Sequence, residues 1–207
     1  MNSRKIVAAA AVVGAIVLFL SNTGVTATHE PADKVAASGS TAVVISPAEN
    51  VTLLSEKIRT SAPSDLLLGV TAECVITTEL TTVGNDVSSA EGRVRVWVEF
   101  DGTPVPVSAD DAVDPGRVTF CNRFEERETT NFDDEDATIR TLHEAGIAGG
   151  FNWLKIDTGP GLHTITVKAT LSTAATDNAT ALAAVGKRTL IIEPTKAAND
   201  ETVTEVG

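Results

Sequence analysis

The chain has no tyrosine, one methionine, three histidines and two cysteines, and aromatic side chains make up only 4% of its 207 residues. These scarcities remove whole classes of function. A zinc site needs several converging ligands, and the residues three and four away from His143 are Ile139, Arg140, Gly146 and Ile147, none of them a ligand. Serines and threonines abound, yet none sits in a Gly-x-Ser-x-Gly elbow, and there is no glycine-rich phosphate loop or dinucleotide fingerprint. No catalytic residue, metal or cofactor is assigned.

Basic residues are also scarce, 16 against 28 acidic ones, for a formal charge of −12. Such a surface repels nucleic acid and anionic lipid, both of which are bound through Lys and Arg. Long apolar runs are limited to residues 6–20. At about 15 residues that run falls short of the roughly 20 that span a bilayer. Arg4 and Lys5 precede it and Val25-Thr26-Ala27 follows, the pattern of an export signal cleaved after Ala27. An uncleaved anchor is the alternative. No cysteine follows closely enough for lipid attachment, and the polar residues 200–207 offer no second anchor. Cleavage would remove two basic residues and no acid, moving the charge from −12 to about −14. The expected location is extracellular, with no membrane association once the signal is removed. There Cys74 and Cys121 should pair, closing a loop worth roughly 4 kcal/mol by chain entropy.

What is present is β-pattern. Residues 28–40, rich in Ala, Ser and Gly, read as a flexible linker, 41–194 as one β-domain, and 195–207 as a disordered tail. Short strands are expected at 41–45 and 51–58. In the long stretch 65–83, Leu66, Leu68, Val70, Ala72, Cys74 and Ile76 share one parity. Arg93 to Phe100 is the cleanest strand, closed by the hairpin dipeptide Asp101-Gly102. Val105 and Val107, broken by Pro104 and Pro106, fit only an edge. Val118, Phe120 and Phe124 should face inward. Cys121 falls on the opposite parity, so a bulge or strand end is expected at one of the cysteines.

Residues 131–148 change character. Acids 133–136 before Ala137 to Ala145, with Gly146 as a stop, predict a short helix across the sheets. Asp133, Asp134 and Asp136 form a weak calcium candidate, with Asp110, Asp111 and Asp114 as possible neighbours; helix capping is the plainer role. Residues 151–171 hold two strand runs around Gly159-Pro160-Gly161, a corner. Residues 174–186 read as an Ala/Thr-rich loop and 187–193 as the last strand.

These features predict an all-β fold, two antiparallel sheets face to face with one short helix. The stretch Pro160-Gly161-Leu162-His163-Thr164-Ile165-Thr166-Val167 resembles the corner of fibronectin type III and other immunoglobulin-like domains. There a tyrosine bonds back to the corner backbone; His163 stands in its place beside Gly161. The strings Val96-Trp97-Val98-Glu99, Asp134 to Arg140 and Val185 to Leu190 are similar to those of secreted bacterial proteins of unassigned role. The resemblance implies architecture and no activity.

Trp97 shares a face with Arg93, Arg95 and Glu99. Either the short helix covers it or it is an aromatic platform for a partner, with Arg95 stacked on it. The functional expectation is a secreted, non-enzymatic module that meets a protein or glycan at the cell surface or serves a structural role. The alternatives are a metal-dependent or hydrolytic enzyme using His163, His143 and acidic loops, and a membrane-anchored subunit of a surface assembly.

Overall fold

The structure, a computed structural model, describes residues 35–39, 44–84, 86–107, 116–130 and 138–195. In chain order the strands are β1 (Val35–Gly39), β2 (Val44–Ile45), β3 (Ala48–Thr60), β4 (Ser64–Val83), β5 (Val87–Phe100), β6 (Thr103–Pro104), β7 (Val118–Glu128), β8 (Thr138–Thr158), β9 (Gly161–Ala175) and β10 (Ala179–Thr195). They form two antiparallel sheets. The first runs β1/β2, β10, β4, β8; the second runs β3, β9, β5, and then β6 and β7 along the far side of β5. The sheets pack face to face, so the protein is an all-β sandwich.

Alternation explains why these residues fold this way. On β4 the side chains of Leu66, Leu68, Val70, Ala72, Cys74 and Ile76 are all buried, and Val94, Val96 and Val98 of β5 and Ile165, Val167, Ala169 and Leu171 of β9 answer them from the other sheet. Small residues sit where the layers close up. A Cβ on Gly92 would lie 2.7 Å from Ile76 Cγ2. At one end of the core Trp153 is buried, and its Nε1–H donates to the Gly116 carbonyl at 2.7 Å. Cys74 and Cys121 are bridged with Cα atoms 6.6 Å apart, tying β4 of the first sheet to β7 of the second. Arg188, whose ionisation burial disfavours, reaches from β10 to the Leu53 carbonyl of β3 at 3.0 Å.

The parity conflict at Cys121 resolves as a bulge. The β5–β7 register slips between Val94 and Arg95, with Val94 opposite Cys121 and Arg95 opposite Thr119. The extra residue, Phe120, turns Cys121 inward and reverses every later side chain on β7. Phe124, expected inward, is therefore 59% exposed.

Four further expectations need correction. Residues 138–148 are not a helix: they are the first half of β8, paired with β4 from Val83 down to Glu73. Ile139 and Leu142 are three apart, but the long β4 ladder outweighs so narrow a helical stripe, and Leu142 points outward at 62% exposure. Among the described residues there is no helix. Residues 174–186 are strand for most of their length, because Ala183 and Val185 fill the close space against β4. Part of the expected linker, Val35–Gly39, is strand β1, held by the ladder to β10. β10 in turn continues to Thr195, one residue into the expected tail.

The order of strands also differs from the immunoglobulin one. Following the chain, β3 lies in the second sheet, β4 in the first, β5 and β7 in the second, then β8, β9 and β10 alternate. First and last strands pair, as do β3 and β9. That is the connectivity of a jelly roll, two Greek keys folded into facing sheets. Alternation fixes which face of a strand is buried but leaves its neighbours open, so the resemblance reaches the two-layer architecture and no further.

Candidate functional site

The Gly159-Pro160-Gly161 corner carries the chain from β8 in one sheet to β9 in the other. His163 lies just beyond it, opposite Ile58 of β3 and only partly exposed. Its Nδ1 is 2.8 Å from Asp101 Oδ2 and its Nε2 is 2.9 Å from the Gly159 carbonyl oxygen. Each ring nitrogen is thus engaged within the corner, one by a side chain and one by the backbone. The Phe100 ring lies against the imidazole, with centroids 4.7 Å apart. Asp101 itself sits in the β5–β6 turn with φ 49°, followed by Gly102 with φ 82°, the left-handed pair that an Asp-Gly hairpin adopts. Its other oxygen accepts the Thr164 N–H at 2.7 Å. The corner is therefore a clasp between the end of β5 and the start of β9. Asp157, the only acid near His163 in sequence, is not among its bonding partners; the Asp157 backbone N–H donates to Asp65 Oδ1 at 3.0 Å.

The clasp has a pH signature. Desolvation pushes the Asp101 carboxyl up, but the bonds from His163 and the Thr164 N–H outweigh it and hold it below the ordinary carboxylate range. A depressed folded-state value adds stability that is complete above the unfolded pKa, about 4, and is lost as pH falls through the folded one. Asp101→Asn keeps the left-handed turn and removes the charge. It should cost about 0.5–1 kcal/mol near neutrality, as for a half-exposed pair. In urea titrations at pH 6 and pH 3 the difference from wild type should shrink at the lower pH; a constant difference would dismiss the clasp as a titrating element.

The second region is the outer face of the second sheet. Trp97 is opposite Lys168, with Arg95 opposite Thr170 and Arg93 opposite Ser172. The Trp97 side chain is only 2% exposed, so it is no open platform. The Arg117 guanidinium lies 4.3 Å over its ring and its Nε1–H donates to Glu99 Oε1 at 3.2 Å. Glu99 also holds Lys168, 3.1 Å away. The cover that a helix was expected to supply comes instead from an arginine beyond the loop. The cations Lys57, Arg59, Arg93, Arg95, Arg117 and Lys168 gather on this face, beside the hydroxyls of Ser55, Thr164, Thr166 and Thr170. Arg95 keeps the company of Trp97 on that face.

The third region was not visible as a site in the sequence. After the bulge, Arg123, Glu125 and Arg127 point between the sheets. Glu125 accepts bonds from Arg123 Nε at 2.8 Å and from Thr78 Oγ1 at 3.0 Å, and His143 Nδ1 lies 3.7 Å away. Arg127 bonds Thr141. The one sequence signal was the parity clash at Cys121, which implied a reversal downstream. Glu125 thus links β7 to β4, and Arg127 links it to β8, at one end of the sandwich.

A shallow depression of about 680 Å3 lies where β1, β4, β8 and β10 meet, lined by Gly39, Thr71, Glu73, Ile147 and Lys187 among others. It contains no histidine or cysteine. Among the described residues no group of His, Cys, Asp and Glu could hold a metal. Asp133, Asp134 and Asp136, with Asp110, Asp111 and Asp114, lie outside the described residues, as do residues 1–34. No described helix is long and apolar enough to cross a membrane. No family model matches the chain, and no curated protein matches it.

Proposed function

We propose that the chain is an exported, non-enzymatic binding module that meets a protein or glycan at the cell surface through the outer face of its second sheet. The observation that carries this reading is the gathering of Lys57, Arg59, Arg93, Arg95, Arg117 and Lys168 on one face of a protein whose formal charge is −12; there they outnumber Glu91, Glu99, Glu126 and Glu128, of which Glu91 pairs with Arg93 and Glu99 with Lys168. A local cationic field against an acidic whole favours an anionic partner group such as a carboxylate or phosphate, and Arg supplies the planar fork for it. Export is supported by the apolar run at residues 6–20 and by the Cys74–Cys121 bridge, which belongs to oxidising compartments. The non-enzymatic part is supported by His163, whose two nitrogens both bond within the corner, to Asp101 and to Gly159.

The test is recovery of the chain on its own cell-surface fraction. Replacing Arg93 and Arg95 together by Glu should lower retention at least tenfold at low salt, and wild-type retention should fall as salt rises. Equal recovery of the double variant and wild type, at matched folding, would remove this face from consideration.

A further inference from the structure

The four sheet edges are not protected alike. β1 and β2 pair with β10 in two short stretches of five and two residues. β3 breaks register with β9 twice and carries Lys57 and Arg59. β6 is two residues ending in Pro104, and β7 has the bulge opposite Val94 and then Arg123, Glu125, Glu126, Arg127 and Glu128. Bulges, prolines, charges and shortness are the usual means of keeping an edge from pairing with another chain. β8 uses none of them. It is 21 residues long, has no proline, and its ladder to β4 runs without a slip from Lys155 to Thr138. On the other side of β8 no strand is paired among the described residues. Leu142 is 62% and Ile147 47% exposed along it. From Thr138 to Leu154 its only charged residues, histidine aside, are Arg140 and Glu144.

The spacing of those two charges selects the occupant. We propose that β8 pairs antiparallel with β8 of a second copy of this chain, with Leu142 on the two-fold axis, so that the first sheet continues across the dimer. In that register Arg140 stands opposite Glu144 of the second copy and Glu144 opposite its Arg140, both on the outer face, flanking Leu142 against itself. Opposite charges across a strand pair stabilise it, and like charges would oppose it. Arg140 donates through Nε to Glu79 at 2.5 Å, and its two Nη groups remain to reach the second copy. Centring the axis on Ile147 instead would set Arg140 opposite Leu154 and Glu144 opposite Gly150, with no ion pair. A two-fold pairing is closed, so it uses up both free edges and ends at two copies.

Sedimentation equilibrium of the purified full chain, from about 1 to 100 μM, is the first test and should show a monomer–dimer equilibrium. Leu142→Lys should weaken it at least thirtyfold; the side chain is exposed, and circular dichroism checks that the sandwich is intact. Glu144→Arg should weaken it, and the exchange Arg140→Glu with Glu144→Arg should restore it. Leu142→Cys should give a covalent dimer on a non-reducing gel, and Ile147→Cys should not. A monomer at 100 μM, a dimer indifferent to Leu142→Lys, or cross-linking through Ile147→Cys and not Leu142→Cys would overturn the proposal.

Discussion

Replacing Trp153 with alanine should lower the stability of the sandwich by about 3–5 kcal/mol, the range for emptying a buried tryptophan site. The ring is 1% exposed and packs edge-on to Phe151, with centroids 4.9 Å apart, while Phe120 stacks further off at 6.4 Å. Removal takes one ring partner from Phe120 and Phe151 and the Trp153 donor from the Gly116 carbonyl. That carbonyl cannot easily move to compensate. Gly116 has φ 70°, and a Cβ built there would lie 2.0 Å from the Val105 carbonyl oxygen, so two backbones already touch at this point. Trp153→Phe separates the contributions: it keeps most of the apolar volume and loses the bond, for about 1–3 kcal/mol. Urea unfolding followed by circular dichroism is the suitable measurement, since Trp97 also contributes fluorescence. A loss below about 1 kcal/mol for the alanine variant would mean that the core does not depend on Trp153.

The parts of this fold legible in the sequence are those fixed by neighbours in the chain. Parity along β4 gave the buried set from Leu66 to Ile76, because a strand alternates whatever it pairs with. The mismatch at Cys121 called for a bulge or a strand end for the same reason, once it was assumed to reach Cys74, and the bulge is what the β5–β7 register shows. Asp101-Gly102 announced its own turn. What failed depended on residues far away. Nothing between Thr138 and Ala148 favours strand strongly; the β4 ladder imposes it. Ala183 looked like loop because alanine has little β-propensity, yet a small residue is what fits between closely packed sheets. The site divides similarly. The company of Trp97 with Arg93 and Arg95 follows from counting by twos. Its burial does not, because Arg117 comes from 20 positions along the chain, and the Asp101 partner of His163 from 62 positions back.

Removing the Cys74–Cys121 bridge should cost about 4 kcal/mol, the chain-entropy value for a separation of 47 residues. The bridge also occupies a strategic place. The loop it closes leaves the first sheet through the second half of β4, passes along β5 and β6, and returns through β7, whose one buried side chain is Cys121 itself. Beyond Cys121 the inward side chains of β7 are Arg123, Glu125 and Arg127, so once the bridge is gone only polar bonds to Thr78 and Thr141 tie this part of β7 to the first sheet, beside its ladder to β5. The change should therefore act twice, on the freedom of the unfolded chain and on the attachment of β7. Both cysteines must be replaced by alanine, since a single serine would place a hydroxyl in an apolar site: Cys74 is fully buried. Urea unfolding should show a lower midpoint, and hydrogen exchange should show β7 amides opening before those of β4 and β10. A loss below about 1 kcal/mol, or β7 protection equal to that of β4, would show that the polar contacts hold the strand without the covalent tie.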